Sequence, residues 1–145
     1  MNFKDEIEML KNDRLNKEEE VINEIVDYFK KEFKSDHYKD YLKNLIKNEI
    51  NRSRSELKFK TEFWEYQSGC SETHFRCGGY EFKLDYKETE YKGVSLNDIQ
   101  YKIGEKLDNL FIETIRDLGL NIISSVRHDN DSRYNYYRNY IVIGW

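Results

Sequence analysis

Residues 95–119 read SLNDIQYKIGEKLDNLFIETIRDLG, and the reading of this stretch decides how the rest of the chain is arranged. Leu96, Ile99, Ile103, Leu107, Leu110, Thr114 and Leu118 recur every three or four residues, which places them on one face of a helix. Ser95 is positioned to cap the first turn, with Asp98 three residues on as an acidic variant of the capping box. Gly119 suits the left-handed position that ends a helix. Tyr101 and Ile112 project about opposite the stripe, with Ile115 at its margin. A helix that is apolar on two sides needs cover on both, so the pattern predicts a helix held between a sheet and other helices.

Strand-like segments flank it. Upstream, Leu57, Phe59 and Phe63 alternate with Lys58, Lys60 and Glu62, and Tyr80, Phe82, Leu84 and Tyr86 alternate with Glu81, Lys83, Asp85 and Lys87. That period of two is the mark of half-buried strands. Residues 67–79 are rich in Gly, Ser and Cys and read as the loop joining the two into an antiparallel hairpin. Tyr91-Lys92-Gly93 turns the chain into the central helix. Downstream, residues 120–127 form a third strand, and His128-Asp129-Asn130-Asp131-Ser132 is a turn. A last strand runs from about Tyr134 to Trp145. Its expected core side is Tyr137, Ile141, Ile143 and Trp145, and its other side carries Tyr134, Tyr136, Arg138 and Tyr140.

The first 55 residues are helical. A short helix over 3–14 has Phe3, Ile7 and Leu10 on one side. Asn16 and the acids Glu18, Glu19 and Glu20 mark the start of a second helix, whose stripe is Val21, Ile22, Ile25, Val26, Phe29 and Phe33. Ser35 or Asp36 caps a further helix with Tyr38, Tyr41, Leu42, Leu45, Ile46 and Ile50. The short link predicts an antiparallel helical pair. The fold class is therefore α+β: an N-terminal helical pair, then ββαββ, with an antiparallel sheet of about four strands on one long helix. The chain reads as a single domain over 1–145, with a helical part over 1–55 and a ββαββ part over 56–145.

Composition limits the function classes. Among 145 residues, 36% are charged and only 38% hydrophobic, but 12 Tyr, 8 Phe and 2 Trp supply the apolar area that a disordered chain lacks. There is no proline, and Lys, Asn, Ile and Tyr are abundant, the residue usage of an AT-rich genome such as a low-GC bacterium, its phages or its mobile elements. A net charge of −4 argues against a general duplex-DNA binder. No apolar run reaches the roughly 20 residues of a membrane helix and no signal peptide is evident, so the expected location is cytoplasmic, with no membrane partner. The 2 cysteines then read as thiols.

Four residue groups are candidates for chemistry. Cys70, His74 and Cys77, with His128, have zinc-ligand chemistry, but the spacing matches no standard zinc signature, and the expectation is no metal and no cofactor. A Cys nucleophile with a His base would use the same residues, without a local signature. Glu81-Phe82-Lys83 and Asp85-Tyr86-Lys87 repeat an acidic-x-Lys triplet. With Glu62 or Glu65 from the preceding strand, and with helix, strands, helix and strand in that order, it loosely resembles the core of restriction-type nucleases. That resemblance implies a Mg²⁺-binding carboxylate beside a Lys that activates water. The alternative is a solvated strand face with cross-strand ion pairs.

The fourth group is aromatic and basic: Arg127, Arg133, Tyr134, Tyr136, Arg138 and Tyr140, continued by Trp64 and Tyr66. Tyr, Trp and Arg are the residues that anchor protein interfaces. The same groups stack on and neutralise single-stranded nucleic acid. The reading favoured by the residues is a small non-enzymatic binding protein, an interaction module or inhibitor of the phage or mobile-element type, such as one that blocks a host nuclease. A nucleic-acid-binding module on the same hairpin is the alternative, and a Mg²⁺-dependent nuclease-like fold the second.

Overall fold

The computed structural model describes residues 2–65, 73–84, 90–127 and 137–145. In chain order these form α1 (Phe3–Phe33), α2 (Asp36–Asn51), β1 (Glu56–Glu65), β2 (Thr73–Cys77), β3 (Tyr80–Leu84), β4 (Glu90–Tyr91), β5 (Val94–Ser95), α3 (Leu96–Asp117), β6 (Asn121–Arg127) and β7 (Arg138–Gly144). The fold is α+β, as the sequence implies. Two helices precede an antiparallel sheet that packs on a long helix. The sheet has five strands in the order β3-β2-β1-β7-β6, and β4 and β5 make a separate small hairpin. No described helix is long and apolar enough to cross a membrane.

The fifth strand is β2, within the stretch that reads as a loop. Phe75 and Cys77 on one side of Gly78-Gly79 face Tyr80 and Phe82 on the other. Both glycines have positive φ, 59° and 90°. This is the conformation of a two-residue type I′ hairpin turn, and Cys77 pairs with Tyr80 across it. The partner of β3 is therefore β2, not β1.

The N-terminal segments are one helix rather than two. Asn12, Asp13 and Asn16 cost only tenths of a kcal/mol each in an exposed helix (~0.5 kcal/mol), and no Gly or Pro interrupts the run. The cap is Asn2, whose side chain accepts the Asp5 N–H at 2.9 Å. The buried apolar residues of α1, Val21, Ile22, Ile25, Phe29 and Phe33, all lie in its second half. Phe3 and Leu10 remain exposed. Ser35 caps α2 through the Tyr38 N–H. α2 meets α1 only near the turn and crosses the end of the sheet, where the Tyr38 hydroxyl donates to the Gly78 carbonyl at 2.7 Å.

α3 lies against the sheet and beside α1. Its buried residues are Leu96, Ile99, Gln100, Ile103, Gly104, Leu107, Asp108, Phe111 and Ile115. The stripe departs from the expected one after Leu107. It steps by four to Phe111 and Ile115 instead of three to Leu110 and on to Thr114, so Leu118 ends exposed. Gly119 adopts φ 80°, and the bonds Leu120 N–H to Ile115 O and Gly119 N–H to Arg116 O form a Schellman closure. Tyr101 and Ile112 are half-buried. Tyr101 packs edge-on against Tyr137, with centroids 5.9 Å apart.

A polar cluster is buried where α3 meets β7. The Tyr137 ring lies over Gly104, and its hydroxyl donates to Asp108. The Tyr137 N–H donates to Gln100 Oε1 at 2.8 Å. Burial holds the Asp108 carboxyl above its ordinary value of 3.8, against hydrogen bonds from Tyr137, Thr61 and Asn139 that favour the carboxylate. A carboxyl whose folded pKa exceeds its unfolded one binds its proton more readily when folded. Its contribution to stability therefore falls as pH rises from 3.8 through the folded pKa. Asp108→Asn should remove that slope. The unfolding free energy of the variant relative to the parent, from denaturant titrations, is expected to rise with pH across this window and then level off. A difference independent of pH would contradict the assignment.

Candidate functional site: the sheet face turned away from the helices

Strand alternation gives the sheet two different faces. Phe59, Thr61, Phe63, Phe75, Cys77, Ile141 and Ile143 face the helices and are buried. Lys58, Lys60, Glu62 and Trp64 of β1, His74 and Arg76 of β2, Glu81 and Lys83 of β3, and Arg138, Tyr140 and Val142 of β7 face the other way. No described helix packs on that side.

The pairing register arranges these residues in rows. Lys83, His74 and Trp64 form one row, and Glu81, Arg76, Glu62 and Arg138 the next. The second row alternates acid and base across four strands. Arg76 Nη1 lies 3.3 Å from Glu62 and Nη2 3.8 Å from Glu81. Arg138 Nε is 3.5 Å and Lys60 Nζ 3.7 Å from Glu62. Glu62 is thus ringed by three cations and is only 5% exposed. His74 Nδ1 is 2.9 Å from Glu81, and the His74 ring lies 4.8 Å from Trp64. Lys60, Glu62, Trp64, His74, Arg76 and Arg138 together line a shallow pocket of ≈ 260 Å³. Beside it Lys58 and Lys60 stand over the Tyr140 ring, at 4.2 and 5.6 Å.

Glu62 fixes the geometry of this face. Its carboxylate offsets the mutual repulsion of the three cations and keeps them close together. They are about one-third to one-half exposed, so water screens much of the interaction. Glu62→Gln is expected to cost about 1–2 kcal/mol, well below the 3–5 kcal/mol of a fully buried pair. The loss should shrink between 0.1 and 1 M salt in chemical denaturation (roughly, on the scale at which ions screen contacts of a few Å). A salt-independent loss would mean that packing, not charge, is the role of Glu62.

The structure joins some of the sequence candidates and separates others. Trp64, Arg138 and Tyr140 share the outward face, as expected. Arg127 does not. Its guanidinium lies over the Tyr137 and Tyr101 rings on the helix side, at 4.9 and 5.3 Å, and is bonded to Glu105 of α3 at 2.9 Å. Tyr66, Arg133, Tyr134 and Tyr136 lie outside the described residues. His74 and Arg76 are members of the face that sequence reading did not assign to it; the Gly-Gly turn was the signal for the strand that carries them.

The chemistry-bearing groups resolve similarly. His74 and Cys77 lie on opposite faces of β2 and share no site. The Cys77 thiol is buried, bonded to Thr61 and the Leu107 carbonyl, and burial pushes its pKa up, the reverse of what a nucleophile needs. Cys70 and His128 lie outside the described residues, as do Asp85 and Lys87. Glu81, Lys83 and Glu62 do share a face, but Arg76 stands between the two carboxylates and bonds both. Among the described residues no three His, Cys, Asp or Glu side chains are grouped to hold a metal ion. A groove of ≈ 670 Å³ is remote from this face. It runs between α1 and α3, with Val26, Phe33, Leu110 and Leu118 beside Lys30, Lys34, Lys106 and Glu113. No protein-family model matches the chain, and comparisons with curated proteins and with solved structures found no match.

Proposed function

We propose that the chain is a non-enzymatic binding protein that engages an acidic protein surface through the outward sheet face. The observation that supports this most is the charge of the face. Five cations, Lys58, Lys60, Arg76, Lys83 and Arg138, stand against Glu56, Glu62 and Glu81, in a chain whose net charge is −4. Trp64 and Tyr140 add rings whose surroundings are held by cross-strand pairs. Rigid aromatics beside arginines are the composition of an interface anchor. The small size and AT-rich residue usage suit an inhibitor carried by a phage or mobile element.

The same cations and rings suit single-stranded nucleic acid. The carboxylates interleaved with the cations weigh against it, because each would face a phosphate. Arg76 between Glu62 and Glu81 likewise weighs against a Mg²⁺ nuclease. The test is capture from a lysate of the source organism, with and without nuclease digestion, by the parent chain and by Tyr140→Ala. A partner that survives digestion and is lost at least about tenfold with Tyr140→Ala fits the hot-spot scale of 1.4 kcal/mol or more. Capture abolished by nuclease would replace the protein partner with nucleic acid.

A further inference from the structure

The two edges of the sheet are built differently. At one edge, β3 carries Glu81 and Lys83. α1 lies beside it, and the Tyr28 hydroxyl donates to the Glu81 carbonyl at 3.1 Å. The Tyr28 ring packs on Phe82, with centroids 5.4 Å apart. Charge and a covering helix are the devices that keep an edge from pairing with another chain.

At the other edge, among the described residues, β6 has no covering helix and carries charge only at its end. Its sequence, Asn121-Ile122-Ile123-Ser124-Ser125-Val126-Arg127, holds no charge before the last residue. Among the described residues it pairs only with β7. Ile123 and Val126 are 53% and 49% exposed. The single cation, Arg127, turns to the helix side and is held by Glu105.

We infer that β6 is a self-association edge, on which a second copy of this chain pairs its own β6 antiparallel across a two-fold axis. The argument for a second copy is charge. More than a third of this chain's residues are charged, yet two β6 edges meet with no like charges opposed along residues 121–126. An antiparallel pair of identical strands is isologous, so the same contacts form twice and the assembly closes at two. A bulge at Ile123 twists the start of the strand. The regular part offered is Ser124–Arg127, roughly 14 Å of ladder. Such a contact is at the small end of specific interfaces, so association requires concentrated protein.

The test is sedimentation of the full chain over a concentration series, with amide exchange followed in parallel. The weight-average mass is expected to climb toward twice the monomer mass as protein approaches about 1 mM, the range in which interfaces this small associate. Amides of 121–127 should exchange more slowly in step with it. Ile123→Lys with Val126→Lys changes only exposed side chains, sets lysines against lysines across the axis, and should stay monomeric. A parent chain that remains monomeric throughout would overturn the inference. So would a dimer whose 121–127 amides exchange at the monomer rate, or a folded lysine variant that associates as the parent does. The exchange measurement on the parent stands without the variant.

Discussion

Phe111→Ala is expected to destabilise the fold by about 4 kcal/mol, in the range of large core truncations, while Leu118→Ala changes it by less than about 0.5 kcal/mol, as exposed positions do. Phe111 is fully buried. Its ring lies 5.8 Å from Phe33 and 5.1 Å from Phe59, and it packs under the turn at Gly78. It therefore joins α1, β1 and the β2–β3 hairpin to α3, and its loss opens a cavity at their junction. Leu118 sits past the last buried turn and is 36% exposed. Thermal unfolding of the two variants checks this. For a chain of this size about 4 kcal/mol lowers the midpoint by roughly 10 °C. Equal effects at the two positions would mean that the helix is rotated from the orientation described.

Gly104→Ala is the second large effect. A Cβ there would run into the Tyr137 ring at Cδ1 and Cε1. The ring cannot retreat freely, because its hydroxyl is bonded to Asp108 and its N–H to Gln100. The added methyl forces β7 away from α3, and the expected cost is about 3 kcal/mol, the upper part of the overpacking range. Tyr137→Ala should be destabilising alone but should absorb much of the Gly104→Ala loss. The double variant is then more stable than the sum of the two single effects by about 1–2 kcal/mol, a coupling that residues in contact show. Additive losses would show that Gly104 does not act through the ring.

How far the sequence reaches can be judged at three places. The start and end of α3 were legible because Ser95 and Gly119 are local signals: Ser95 stands at the N-cap position, although its side chain makes none of the capping bonds expected of it, and Gly119 performs the predicted closure. Its buried face was legible only to Leu107. Beyond that point Leu110 and Phe111 are both apolar, and the sheet, not the helix, selects between steps of three and four. The outward position of Trp64 followed from alternation within β1. The row of charges around it did not, because that row depends on β2 lying between β1 and β3. Once β2 is placed, Arg76 falls between Glu62 and Glu81, and carboxylates that looked free to bind metal become ion-pair partners.

Arg127 is the clearest case of a residue that alternation alone misplaces. Counted from Asn121, which is opposite Gly144, an unbroken strand would put residue 127 on the outward face. The bulge between Ile122 and Ser124 inserts one residue, and every later side chain changes side. Arg127 therefore faces α3 and serves the junction with Glu105, Tyr101 and Tyr137. The interface proposed for this chain is accordingly the β1–β2–β3–β7 face centred on Glu62, and not the whole aromatic hairpin.

The claim that this face is the interface is tested most directly by two variants matched in charge. Lys58→Glu with Tyr140→Ala alters the outward face, and Lys34→Glu with Leu118→Ala alters the rim of the groove between α1 and α3. Both change the net charge equally and both involve side chains at the surface. Binding of each to the captured partner is compared with the parent chain by surface plasmon resonance. The account predicts a loss of about tenfold or more for the first pair, the weight of a hot-spot ring and a reversed charge, with the second pair within about twofold of the parent. Undiminished binding by the first pair, or a larger loss with the second, would contradict it.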